Sequence, residues 1–276
     1  MRRRQIASLA VRESGDPADP GILLWPGLGA TGAYFEPLVG SLPGRTVTVD
    51  PPGLGASAPL DRCSYGRLVE LACAVVEQCE CCAVVGHSLG AFVAVGVGAA
   101  PPAGLQTAVL IDGGYMQAKD IAALGMPVTA GRSELVEWLT ANAHRFPDWD
   151  TAFRELANTI SSQESPAFRA YVREVYAEIG GEIRQRMTAD RAADLLLATY
   201  EDDALVPTGA LAVPTLLVAC GQPAERRAER EQAWRAFAAR SSLVELHVAE
   251  DWSHNPIFQD PEGLTALLAE WLAPRL

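Results

Sequence analysis

Short apolar runs alternate with amphipathic stretches along most of the chain. Strand-like runs occupy residues 21–25, 46–49, 83–85 and 107–111, and two more occupy residues 213–219 and 243–248. Helical patterns separate them: apolar side chains recur at helical spacing over residues 68–75, around 226–239 and over 261–272. This alternation predicts the α/β fold class, with a mostly parallel central sheet flanked by helices.

The pattern changes between residues 115 and 205, where several amphipathic helices and no strand are predicted. One helical face carries Leu135, Trp138 and Leu139. Thr151 is the predicted N-cap of a second helix that extends to Ile160. Ser165 and Pro166 have N-cap and N1 chemistry for a third, whose apolar face is Phe168, Tyr171, Val172, Val175 and Tyr176. We therefore predict a helical cap at 115–205, inserted into a core formed by 1–114 and 206–276.

Composition and charge exclude several classes of partner. Hydrophobic residues make up 49% of the 276 residues, but every apolar run is too short to span a bilayer. The net charge of −12 repels phosphate backbones and anionic lipids, so neither nucleic acid nor a membrane is an expected partner. Three arginines follow Met1, but no sustained apolar segment comes after them, so we expect a cytoplasmic protein.

The cysteines and glycines do not indicate a cofactor. Six cysteines are too few for a disulfide scaffold at this length, and their spacing does not match a zinc site, so reduced structural thiols are expected. Neither a Walker A loop nor a G-x-G-x-x-G sequence is present. We expect no metal and no organic cofactor.

The motif with the clearest chemistry is Gly-His-Ser-Leu-Gly at residues 86–90. It follows an apolar strand directly and precedes a helix directly, the context in which a G-x-S-x-G serine lies on a strained turn with its hydroxyl exposed. The helix that begins there adds N–H groups and a dipole that favour negative charge. Ser88 is therefore the predicted nucleophile.

A serine hydroxyl needs a base, and His254 is the predicted one. It lies in a loop after the last strand, and imidazole titrates in the useful pH range. The other three histidines are interpreted as structural or surface residues: His87 within the motif, His144 in the cap and His247 in a strand.

Three further segments carry a family resemblance: Trp-Pro-Gly-Leu-Gly at 25–29, Asp-Pro-Pro-Gly-Leu-Gly-Ala-Ser at 50–57, and Asp-Trp-Ser-His at 251–254 followed by Asp-Pro-Glu at 260–262. With residues 86–90 they make the chain similar to the α/β-hydrolase family over nearly its whole length. The resemblance implies an oxyanion hole formed by the main-chain N–H groups of Leu28 and Leu89. Pro26 departs from the histidine that the family often has there.

Two carboxylates are candidates to orient the base. Most members of the family place this acid after the strand that matches 215–219, where the present chain has Ala224 and then Glu225. Haloalkane dehalogenase-like members use the position of Asp112, at the end of the strand 107–111. We favour Asp112, because a strand end fixes a carboxylate better than a loop does.

The predicted function is hydrolysis of a carboxylic ester, lactone or thioester of a small molecule through an acyl-enzyme on Ser88. C–C bond hydrolysis, acyl transfer, cyclisation and receptor-like ligand binding remain alternatives on the same fold. Trp138, Trp149 and Tyr171 are candidates to line the substrate pocket, although aromatics at helical spacing are also typical of a helix core. The sequence does not indicate an oligomeric state.

Overall fold

The computed structural model describes residues 2–159, 164–200 and 211–276. The strands are β1 (Arg2–Ile6), β2 (Leu9–Ser14), β3 (Gly21–Trp25), β4 (Arg45–Val49), β5 (Cys81–His87), β6 (Thr107–Ile111), β7 (Arg145–Phe146), β8 (Tyr176–Ile179), β9 (Glu182–Gln185), β10 (Thr215–Cys220) and β11 (Val244–Ala249). Eight of them form the main sheet in the order β1-β2-β4-β3-β5-β6-β10-β11. The pairs β1–β2 and β2–β4 are antiparallel, and every other pair in this sheet is parallel.

The helices are α1 (Tyr65–Gln78), α2 (Leu89–Ala99), α3 (Ala118–Ala123), α4 (Arg132–Ala141), α5 (Trp149–Thr159), α6 (Pro166–Val175), α7 (Ala189–Tyr200), α8 (Arg227–Ala238), α9 (Pro256–Gln259) and α10 (Pro261–Leu272). The polar face of α1 is solvated, whereas α2 is apolar on all sides and almost fully buried. Across the described ranges, no helix has the length and apolarity needed to cross a bilayer.

Two apolar cores lie on opposite faces of the sheet, because successive strand residues point to opposite sides. Leu23 of β3 faces a core shared with α1 and α8, while its neighbours Ile22 and Leu24 face a second core shared with α10. Phe153 of α5 and Phe168 of α6 belong to the second core. α5 and α6 are therefore anchored on this face of the sheet by buried aromatic side chains.

The predicted parallel sheet is confirmed, but two N-terminal strands were not predicted. β1 has the sequence Arg-Arg-Arg-Gln-Ile, and only its last residue is buried. β2 buries every second residue, which is the pattern of an antiparallel strand with one solvated face. Three consecutive arginines do not predict a strand from sequence. At the edge of a sheet, however, their charge disfavours pairing of this strand with a strand of another molecule.

The prediction that residues 115–205 contain no strand is wrong. β7, β9 and β8 form a small antiparallel sheet in that order. The turn between β8 and β9 is Gly180-Gly181, and both glycines have positive φ, at 63° and 82°. Such a pair is a strong hairpin signal. It was missed because Tyr176 continues the helical spacing of α6, although α6 ends at Val175 and Tyr176 begins β8.

The predicted caps are partly corrected. Thr151 does not cap α5, which begins two residues earlier; the Asp148 carboxylate accepts a hydrogen bond from the Thr151 N–H at 2.7 Å and caps the helix instead. Ser165 accepts from the Phe168 N–H at 3.1 Å, as its predicted role requires. Ile160 and the predicted boundary between cap and core at 205/206 lie outside the described residues.

Candidate active site

Ser88 lies on a sharp turn between β5 and α2. Its backbone adopts φ 53° and ψ −118°, which is strained for a residue with a side chain. Close packing holds the turn, since a Cβ on Gly86 would overlap the carbonyl of Gly90, and a Cβ on Gly90 would overlap that of Trp25. The Ser88 N–H donates to the Ile111 carbonyl at 2.9 Å, which ties the turn to β6.

His254 lies in the loop between β11 and α9. Its Nε2 is 2.9 Å from Ser88 Oγ, although the two residues are 166 positions apart in the chain. Half of the His254 side chain is exposed, with a relative accessibility of 50%. The imidazole is therefore within proton-transfer distance of the hydroxyl and also open to solvent.

Asp112 is the carboxylate that contacts this histidine. It follows β6 directly, and its Oδ2 is 2.7 Å from His254 Nδ1. Its Oδ1 accepts hydrogen bonds from the Tyr115 hydroxyl at 3.1 Å and from the Cys220 N–H at 3.2 Å. Burial by itself would raise the pKa of the Asp112 carboxyl, but the hydrogen bond and charge of His254, the Cys220 N–H and Arg230 outweigh it and hold this pKa below its ordinary value.

Glu225, the other candidate acid, is placed elsewhere. It lies exposed in the short 3-10 turn Ala224–Arg226 that precedes α8. The structure thus brings Ser88, His254 and Asp112 into one hydrogen-bonded chain and leaves Glu225 in solvent. Tyr115 was not identified from the sequence, because nothing in an isolated tyrosine three residues after an aspartate marks it as that aspartate's donor.

The loop with the predicted oxyanion donors runs beside the nucleophile. A Cβ on Gly27 would lie 3.0 Å from the Ser88 Cβ, so a side chain at this position would crowd the nucleophile. Leu28 and Leu89 line the same cavity as Ser88. The main-chain N–H of Leu89 also lies at the N-terminus of α2, where the helix dipole favours negative charge.

His87 supports the loop that carries the base. The Nε2 of this buried side chain donates to the main-chain carbonyl of His254 at 2.7 Å, and its ring stacks on Tyr34 with a centroid distance of 4.7 Å. The Tyr34 hydroxyl donates to Asn255 Oδ1 at 3.0 Å. Burial first, and then the neighbouring His254, lower the pKa of His87 to about 3. The side chain is structural, as predicted, and it is neutral at working pH.

The neutral state of His87 predicts a loss of stability in acid. In the unfolded chain the pKa of His87 returns to about 6.5. Between that pH and about pH 3, the unfolded chain therefore binds a proton at His87 and the folded chain does not. From about pH 7 to pH 5, the free energy of unfolding of the wild type should therefore fall by about 2 kcal/mol more than that of His87→Gln. The glutamine amide does not titrate, and its N–H can still donate to the His254 carbonyl. Urea unfolding at both pH values measures this, and an equal loss in the two proteins would contradict the assignment.

A cavity of about 410 Å³ opens beside Ser88 and His254. Trp138, Trp149 and Tyr171 are not among the described residues that line it, so the predicted pocket is corrected. Trp149 stacks on Phe153 with ring centroids 5.7 Å apart, and Tyr171 packs on Phe258 at 5.1 Å. Their helical spacing reflects packing against the second core. Within the described residues, no group of three or more His, Cys, Asp or Glu side chains is arranged to hold a metal ion.

Comparisons with known proteins agree with this architecture. The family model described as "Alpha/beta hydrolase family" matches residues 22–267. A comparison with curated protein sequences gives no significant match.

Solved structures share the fold over most of their length. E-2-(acetamidomethylene)succinate hydrolase superposes with a TM-score of 0.74 at 22% identity, over 99% of this chain and 98% of that one. A thioesterase domain from the curacin biosynthetic pathway gives 0.69 at 18%, covering 97% of each chain. An esterase of M. tuberculosis gives 0.71 at 20%, over 99% and 91%. These likenesses show the fold alone, whereas the family model matches most of the sequence; the chain belongs to the alpha/beta hydrolase family.

Proposed function

We propose that the protein is a serine hydrolase that cleaves a carboxylic ester, lactone or thioester of a small molecule. The observation that carries the proposal is the continuous chain from Ser88 Oγ to His254 Nε2 at 2.9 Å and from His254 Nδ1 to Asp112 Oδ2 at 2.7 Å. A nucleophile in contact with its base, and a base held by a carboxylate, is the arrangement that acyl transfer to serine requires.

In the proposed reaction, Ser88 Oγ attacks the substrate carbonyl carbon while its proton passes to His254 Nε2. The N–H groups of Leu28 and Leu89 stabilise the negative oxygen of the tetrahedral intermediate. His254 then gives the proton to the leaving alkoxide or thiolate, and the acyl group stays on Ser88. A water molecule, deprotonated by His254, then attacks this acyl-enzyme; as the bond to Ser88 Oγ breaks and the acid is released, His254 returns the proton to Ser88 Oγ.

The environment of Asp112 suits its proposed role. Because its pKa is held below the ordinary value, the carboxylate is ionised at neutral pH and stabilises the imidazolium that forms when His254 takes the proton. It also fixes the proton on His254 Nδ1, which leaves Nε2 free to act as base.

The exposure of His254 favours hydrolysis over acyl transfer or cyclisation. Reactions that must avoid water need a base shielded from it, whereas 50% of this side chain is accessible. A purely ligand-binding role would have no need of a nucleophile, base and acid within hydrogen-bond distance of one another.

The test is steady-state turnover with p-nitrophenyl esters, a thioester and simple lactones, with and without pretreatment by an alkyl fluorophosphonate. We expect multiple turnovers that the serine-directed reagent abolishes. Turnover unaffected by the reagent, or none with any of the three substrate classes, would contradict the proposal.

A further inference from the structure

The wall of the cavity beside Ser88 is mostly apolar. Gln222, Pro223 and Arg230 line one part of it, and apolar and aromatic side chains line most of the rest. These side chains come from the start of α2, from the stretch that begins at Tyr115 and continues past α3, and from α7. Apolar surface that lines an open cavity is stabilised when an apolar ligand covers it.

Part of this wall consists of apolar side chains that the fold itself leaves only half covered. Ile121, Leu124 and Met126 pack against the core on one side and remain partly accessible on the side of the cavity. The rings of Phe92 and Tyr200, which line the same cavity, meet edge to face with centroids 5.2 Å apart. Aromatic and aliphatic side chains thus together form the apolar wall of this cavity, which we call the chamber.

The charged groups around the chamber are already engaged by the protein. The guanidinium of Arg230 donates to the carbonyls of Cys220, Gly221 and Pro223 at 2.8 to 3.1 Å. Asp112 is bonded to His254 and Tyr115. Among the described lining residues, Arg230 and His254 are the cationic or potentially cationic side chains. A carboxylate on the substrate would be buried here without a dedicated partner, which is unfavourable.

The position of His254 decides which half of an ester enters the chamber. The leaving group must receive its proton from His254 Nε2, and the His254 edge of the site is the solvent-exposed one. A leaving group beside this exposed edge departs into solvent, which leaves the apolar wall of the chamber, with Phe92, Leu124 and Leu196, to the acyl half.

We propose that this chamber is an acyl-binding site for an uncharged, apolar acyl group, and that charged diacid groups are excluded from it. The proposal rests on the proposed serine hydrolase function and names the substrate class of that site. Each methylene buried in the chamber contributes about a fourfold gain in kcat/KM, since burial of one CH₂ is favourable by about 0.8 kcal/mol.

Two ester series test the proposal with the full-length protein. In one, the acyl chain grows from acetyl to octanoyl with p-nitrophenol constant; in the other, the alcohol grows from methyl to hexyl with an acetyl group constant. We expect kcat/KM to rise about fourfold per methylene in the first series until the chamber is full, and to change little in the second. The adipate monoester, in which a carboxylate replaces the terminal methyl group of the hexanoyl chain, should react at least about a hundredfold more slowly than the hexanoyl ester.

A pair of tryptophan variants locates the effect. Leu124→Trp fills the chamber and should reduce the advantage of octanoyl over acetyl by about tenfold or more. Lys119→Trp introduces the same side chain at an exposed position of α3, away from the chamber, and should leave the chain-length profile unchanged. Equal profiles in the two variants would overturn the assignment of the wall.

Binding to Ser88→Ala separates the two proposals. This variant cannot form an acyl-enzyme, so calorimetric Kd values for the same esters report the chamber alone. A Kd that falls about fourfold per acyl methylene supports the chamber even if the wild type shows no turnover. Serine-dependent turnover with a flat acyl profile, a steep alcohol profile, or equal rates for hexanoyl and adipoyl esters would overturn the chamber and leave the hydrolase proposal intact.

Discussion

Replacing Ser88 with alanine is expected to lower kcat by about a millionfold, which is the loss that removal of a serine nucleophile causes when base and acid remain. The fold should persist, because Ser88 contributes to the turn through its main chain: its N–H donates to Ile111 and its carbonyl accepts from the Ala91 N–H. Hydrolysis of p-nitrophenyl hexanoate by Ser88→Ala and by wild-type protein measures the effect.

A matched control is Ser133→Ala, which removes the hydroxyl of an exposed serine in α4 and should leave kcat unchanged. Circular dichroism and thermal unfolding of both variants show whether the fold is intact. A well-folded Ser88→Ala protein that retains more than about a tenth of the wild-type kcat would exclude Ser88 as the nucleophile.

Replacing Asp112 with asparagine is expected to lower kcat by about ten-thousandfold while preserving the shape of the side chain. The amide keeps an oxygen and a nitrogen in the positions of Oδ1 and Oδ2, but it no longer stabilises an imidazolium. It also allows the wrong tautomer of His254, with the proton on Nε2 facing Ser88 Oγ. The rate with a p-nitrophenyl ester near neutral pH measures the loss.

Glu225→Gln is the paired variant, because it makes the same carboxylate-to-amide change at the other candidate acid. Because Glu225 lies exposed in the turn before α8, the kcat of the Glu225→Gln variant should stay within about twofold of the wild-type value. A large loss in Glu225→Gln with a small loss in Asp112→Asn would reverse the assignment of the acid.

The parallel strands and the nucleophile turn were predictable because both are encoded locally. Buried parallel strands read as continuous apolar runs, and β6 was predicted with the same bounds that the structure has. The turn at Ser88 requires glycines two residues before and after it, and their places in the sequence are visible without any tertiary information.

The contact between Asp112 and His254 depends on tertiary structure. It joins residues 142 positions apart, and its geometry follows from the order of β6, β10 and β11 in the sheet. The sequence reduced the candidates for the acid to two, Asp112 and Glu225, because each follows a strand. Local sequence patterns do not indicate how far either carboxylate lies from the imidazole of His254.

The pocket was mispredicted for a related reason. Helical spacing shows that Trp149 and Tyr171 share a face with other apolar residues, but it does not show what that face contacts. In the fold Trp149 packs on Phe153 of the same helix, and Tyr171 packs on Phe258 of α9. The cavity wall comes instead from the stretch after Asp112 and from α7, whose aliphatic residues look like an ordinary amphipathic helix in sequence.

The acyl-enzyme intermediate on Ser88 is an obligatory species of the proposed mechanism. Rapid mixing of the protein with a p-nitrophenyl ester, acid quenching after milliseconds to seconds, and mass spectrometry of the peptide containing Ser88 detect it. We predict that this peptide gains the mass of the acyl group in place of one hydrogen, that the modified fraction decays as the acid is released, and that Ser88→Ala shows no such adduct. Sustained turnover without an adduct on Ser88 at any time, or an adduct on another residue, would contradict the mechanism.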